Sequence, residues 1–211
     1  MVTLDVDGVL SPMCEANPAE QLPQWWPDAV HTRVWGLPCW YSPSLVARIN
    51  AVAALPGVRM HWLTSWEESA AVELAPVVGL HGSDWLVHHR SNEGPCGWWK
   101  ASEVADLLAL TQSTGSAPAL LGDADPSDAA AVSSRTGTSG TGAGPLVVWV
   151  DDDIDDYTRD RLGETSSAGR RALLSSDRLV RVCPSLRVGL TPALVDELDA
   201  VVATALASQS S

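Results

Sequence analysis

Phenylalanine is absent from this chain, and lysine occurs once, at Lys100. Ten tryptophans carry most of the aromatic content, and twelve arginines accompany the single lysine. So strong a bias toward Arg, sparing one Lys, points to a position where a planar, forked guanidinium cannot replace a compact ammonium. A chance surface lysine is the plain alternative. Long apolar runs are lacking too. None approaches the ~20 residues needed to cross a bilayer, and the opening MVTLDVDGVL has no basic leader. A cytoplasmic protein without a membrane partner is therefore expected. The four cysteines, Cys14, Cys39, Cys96 and Cys183, form no CxxC pair, which argues against the common zinc and redox motifs and for reduced thiols. Basic character is scarce: the net charge is −13. Such a surface as a whole repels nucleic acid and anionic membranes, and makes a cation the natural partner of an acidic site.

What is present is a chain of 211 residues, enough for a single domain with a real core. Residues 2–6 (VTLDV), 58–64 (VRMHWLT), 84–89 (DWLVHH), 146–150 (LVVWV) and 178–182 (RLVRV) read as strands. Helices are expected over 42–55, 66–80, 97–111 and after Thr191. Ser42 caps the first, with Pro43 in its first turn and Leu45, Ile49, Val52 and Leu55 on one face. The second should end or kink near Pro76. Residues 11–41, rich in Pro and Trp, suggest turns and a hairpin, a flap-like insertion. Residues 112–145, rich in Gly, Ser and Thr, read as a flexible insertion. Strands alternating with helices predict an α/β fold, Rossmann-like and doubly wound, with a mainly parallel sheet.

In such sheets ligands bind at the carboxyl ends of the strands. The unusual polar residues fall there: Asp5 and Asp7 in LDVDGVL, Thr64 and Ser65 after the second strand, Asp151 and Asp152 after LVVWV. Lys100 opens a helix between them. Carboxylates gathered at one edge repel unless a cation neutralises them, and hard oxygen ligands select Mg2+ over zinc. Each piece alone has an ordinary reading: a turn for DxDG, a solvated helix start for DDDIDD, a cap for Thr64, packing for the Trp pairs at 25–26 and 98–99. Their order is the informative part.

That order resembles the haloacid dehalogenase-like (HAD) superfamily of Mg2+-dependent phosphohydrolases, with LDVDGVL, HWLTSW, WWKAS and VWVDDD matching its four motifs in turn. In texture the chain is most similar to the HAD domains of Swiss Army Knife RNA-repair proteins. The resemblance implies a HAD-like fold, here without a large cap because 11–41 is too short for a helical one, with Asp5 as nucleophile, Asp7 as general acid and base, Thr64 holding phosphoryl oxygens and Lys100 neutralising the nucleophile. It implies Mg2+ held by Asp5, the Asp7 carbonyl and Asp151, with Asp152 direct or through water. Asp153, Asp155 and Asp156 receive no role. The implied activity is phosphate-ester hydrolysis through an aspartyl-phosphate.

Other readings stay open. A phospho-receiver domain uses similar groups, but there the lysine comes last. A small-molecule phosphomonoesterase and a non-catalytic Mg2+- or phosphate-binding module are the remaining alternatives. A nucleic-acid end as substrate follows from the family texture, with Trp25, Trp26, Trp35 and Trp40 as candidates to stack on bases; the acidic net charge points the other way. Arg170 and Arg171 read as ordinary arginines whose exchange for Lys should be silent.

Overall fold

A strand of only three residues lies at the centre of the sheet. β1 (Val2–Leu4) is buried along its whole length. It pairs in parallel with β4 (Met60–Trp62) on one side and β6 (Val147–Val150) on the other. β5 (Leu86–Val87) continues the sheet beyond β4, and β7 (Leu179–Val182) beyond β6. The order is β5-β4-β1-β6-β7, all parallel. Between β1 and β4 a separate antiparallel ribbon forms from β2 (Val30–Val34) and β3 (Leu37–Tyr41). The structure is a computed structural model and describes residues 1–13, 26–91, 94–113, 145–159 and 168–209. The expected insertion at 112–145 lies almost wholly outside the described residues, as do Cys14 and Trp25.

Side chains alternate across a strand, and the two parities define two cores. Val2, Leu4, Met60, Trp62, Val148 and Val150 pack on one face against α1 (Pro43–Ala53), the segment 70–78 and α6 (Pro192–Gln209). Leu63, Val147 and Trp149 pack on the other against α3 (Trp99–Ser113), α4 (Ile154–Arg159) and α5 (Ala168–Leu174). Helices thus cover both faces of a parallel sheet, the Rossmann-like architecture expected. Among the described residues, no helix is long and apolar enough to cross a membrane.

The local signals mostly act as anticipated. Ser42 Oγ accepts the Leu45 N–H at 3.1 Å, with Pro43 following it. Leu45, Ile49 and Val52 are buried, but Leu55 lies past the helix end and is exposed. Thr191 caps α6 through the Leu194 N–H. Pro76 lacks the N–H that a regular helix sends back to Val72. The chain runs a wide π-type turn over Ala70–Leu74 before α2 (Ala75–Val78), which Gly79 closes in the left-handed conformation at φ 79°.

The winding places the site. From β1 the chain builds outward through β4 to β5, then crosses back over β1 to β6 and β7. The direction of winding changes between β1 and β6. The carboxyl ends of those two strands therefore flank a crevice.

Candidate active site

Asp5 and Asp151 follow the last residues of β1 and β6, which pair as Leu4 with Val150. Both have the parity of Thr3 and Trp149, so both face α3. Lys100, in the first turn of α3, meets them there. Its Nζ donates to Asp5 Oδ2 at 2.5 Å and to Asp151 Oδ2 at 2.7 Å. All three are buried, and Asp151 is wholly so. Backbone donors hold the other carboxylate oxygens: the Val6 N–H on Asp5 Oδ1 at 2.7 Å and the Asp153 N–H on Asp151 Oδ1 at 3.0 Å.

One ammonium between two buried carboxylates fixes the charge pattern. Burial pulls the Lys100 pKa down, but Asp151 and Asp5 outweigh it, and the net direction is upward. Lys100 stays charged. Asp151 is pushed up by burial and by repulsion from Asp5, against the pull of Lys100. A single ammonium cannot fully satisfy both acids. Asp152, half-buried beside them, is raised to about 7 by burial, then by Asp153 and Asp5.

The turn after β1 seats Asp152. Val6 carbonyl accepts the N–H groups of Val9, Leu10 and Ser11, so residues 6–11 coil into one tight turn. Gly8 stands in it at φ 67°, a conformation that disfavours a side chain. A Cβ there would lie 2.4 Å from the carboxyl carbon of Asp152. The bare glycine leaves room for that carboxylate.

Asp7 sits at the outer side of this cluster. Its Oδ2 accepts the Trp66 indole N–H at 2.9 Å. Burial raises its pKa, the Trp66 bond opposes, and Asp5 adds to the rise. Thr64 lies beyond β4, beside β1, and is fully buried. Its Oγ1 accepts the Trp66 N–H at 3.2 Å.

The cluster fits a hard divalent cation in its chemistry. Oxygens of Asp5, Asp151 and Asp152 lie within 4.8 Å of one another, and all three are carboxylates. The Asp7 side chain is not in this set; it is turned to Trp66. The structure thus brings together Asp5, Lys100, Asp151 and Asp152, with Asp7 adjacent and Thr64 at the neighbouring strand end. Asp153 and Asp155 are exposed at the start of α4.

Three features escaped the sequence reading. Trp66 holds Asp7, 59 positions away in the chain, and no local signal points to it. His61, His88 and Glu103 form a hydrogen-bonded chain, 3.0 Å at each step. Glu67, Glu68 and His89 form a second, mostly exposed group. Among the stacking candidates, Trp26 is removed: it is buried, and its indole N–H donates to the Leu190 carbonyl at 2.6 Å. Trp40 pairs with His31. Trp98 packs on Trp149 and Tyr157, with the Lys100 Nζ 5.5 Å from its ring. Arg170 is not an ordinary surface arginine either. It is buried, stacks on the Tyr157 ring and donates to the Tyr157 carbonyl.

No family model matches this chain, and neither a curated protein nor a solved structure matches it.

Proposed function

We propose that this protein is a Mg2+-dependent phosphohydrolase of the HAD type, acting on phosphate monoesters through an aspartyl-phosphate at Asp5. The observation that carries the reading is Lys100 bridging Asp5 and Asp151 at the carboxyl ends of adjacent parallel strands. A buried nucleophilic carboxylate needs a cation beside it, and a transferring phosphoryl group needs fixed positive charge. Lys100 supplies both. Asp5, Asp151 and Asp152 would hold Mg2+; when bound, it would neutralise their mutual repulsion and polarise a phosphoryl oxygen.

The residues divide the chemistry as follows. An Asp5 oxygen attacks phosphorus, and the bond from phosphorus to the leaving oxygen breaks. Asp7, whose pKa is raised by burial, gives its proton to that oxygen. Asp7 then takes a proton from water, whose oxygen attacks phosphorus in the acyl phosphate. The bond to Asp5 breaks, and inorganic phosphate leaves with both carboxyls restored. The Thr64 hydroxyl, at the end of the neighbouring strand β4, holds a phosphoryl oxygen in this reading. The β2–β3 hairpin, between β1 and α1, is the flap-like element of this reading. A bulky ester such as a phosphorylated nucleic-acid end is the substrate this reading favours.

Asp5→Asn tests the proposal. It keeps the shape of the side chain and removes the nucleophilic charge, so turnover of an aryl phosphate should disappear while circular dichroism is unchanged. A folded Asp5→Asn protein as active as the parent would reject the reading.

A further inference from the structure

The hairpin carries a residue that its local structure does not favour. Val34 pairs with Leu37, so Trp35 and Gly36 form a two-residue loop. Both have positive φ, 55° and 78°, the pattern of a type I′ turn. Asn-Gly is the preferred pair there. A tryptophan at positive φ is strained, and this one is also 57% exposed. Core packing does not explain its presence.

Its ring contact is informative. Trp35 stacks on Trp66, centroids 5.5 Å apart and planes 5° from parallel. Trp66 in turn holds Asp7 by its indole N–H. The hairpin tip is thus one indole removed from the proposed general acid. A general acid lies against the leaving oxygen, so whatever borders Asp7 on the outside borders the leaving group. An aryl ester would put its ring at that oxygen, beside Asp7 itself. Trp35 lies over the face of Trp66 and is largely exposed itself, so it offers a flat apolar surface to a larger leaving group whose ring is carried on a sugar.

We propose that Trp35, backed by Trp66, is the specificity platform on which a nucleobase of the leaving group stacks, so that the preferred esters are nucleotides or nucleotide ends of oligonucleotides. The proposal rests on the phosphohydrolase reading for its chemistry, but base binding is measurable without turnover. An exposed indole face accepts any base and discriminates by planarity rather than by hydrogen bonding. The net charge of −13 disfavours a long polyanion and suits contact limited to a terminal nucleotide.

The experiment uses the full chain carrying Asp5→Asn, with and without Trp35→Asn, and calorimetry in the presence of Mg2+. Asn suits the turn, so the hairpin should persist. The ligands are a nucleoside 5′-monophosphate, a short phosphorylated oligonucleotide, ribose 5-phosphate and phenyl phosphate. The nucleotide should bind about ten-fold tighter than ribose 5-phosphate, and Trp35→Asn should bring that ratio close to one, with Trp35→Phe restoring part of it. Equal affinity for nucleotide and oligonucleotide indicates a free nucleotide as sufficient; tighter oligonucleotide binding indicates a nucleic-acid end; both outcomes support the platform. A ratio that Trp35→Asn leaves unchanged, or a loss equally large for ribose 5-phosphate or phenyl phosphate, would overturn it. Absence of turnover in the parent chain with base preference intact would instead reject the phosphohydrolase reading alone.

Discussion

Replacing Lys100 by Arg keeps the charge and changes only its shape. The ammonium makes two contacts, 2.5 Å to Asp5 and 2.7 Å to Asp151, in a site from which water is nearly excluded. A guanidinium is longer and planar, and spreads its charge over a fork. It cannot fill the same point between two converging carboxylates without moving one of them. Loss of one well-placed transition-state donor costs about 2.7–4 kcal/mol in other enzymes, roughly 10²–10³ in rate, and Lys100→Arg should lose a comparable amount in kcat/KM. Lys100→Met removes the charge altogether. It leaves Asp5 and Asp151 facing each other, and breaking such a buried pair costs about 3–5 kcal/mol of stability. Because Asp151 already has a raised pKa, protonation should relieve part of that cost, placing the loss at the lower end. The assay is Mg2+-dependent hydrolysis of an aryl phosphate, with circular dichroism and urea melts alongside. The exposed Arg171 exchanged for Lys is the control; the buried Arg170 is unsuitable. Near-parental activity for Lys100→Arg would refute the role given to the ammonium.

Gly8→Ala should destabilise the chain by about 1–2 kcal/mol for its left-handed backbone alone, and by more because its Cβ meets the Asp152 carboxyl; urea titration and Mg2+ affinity should both report it. Mg2+ binding should weaken as pH falls through about 7, where Asp152 takes up a proton, and calorimetry in two buffers should show proton release on binding at pH 6. His61 is held to about 4 by burial and then by His88, below its ordinary 6.5. The unfolded chain therefore binds that proton first, and up to about 3 kcal/mol of stability should be lost as pH falls from 6.5 to 4; His61→Gln should flatten that slope. Arg48→Ala should cost no more than about 1 kcal/mol, since its pairs with Asp196 and Asp199 are partly exposed.

The sheet and the acidic cluster were legible for one reason: strand periodicity and chain order determine both. Period-two alternation places Asp5 and Asp151 on the α3 face, and the alternation of strands and helices brings them to one edge. Strand lengths were less legible, because 58–64 and 84–89 contain more strand-like residues than the sheet pairs. Only Met60–Trp62 and Leu86–Val87 enter the ladder. Leu55 fitted the helix stripe but lies beyond Ala53, where the helix stops. The interactions of Trp66 with Asp7 and Trp35 span 59 and 31 positions of sequence, and no local pattern encodes them. Arg170 looks like any arginine until Tyr157 is placed beneath it.

The aspartyl-phosphate is the central claim, and acid-quenched turnover tests it most directly. The full chain, given Mg2+ and a phosphate monoester and quenched at steady state, should yield a peptide with one phosphoryl group on Asp5 by tandem mass spectrometry, absent from Asp5→Asn. A phosphoryl group on another residue, or turnover with inversion of configuration at phosphorus, would contradict the account.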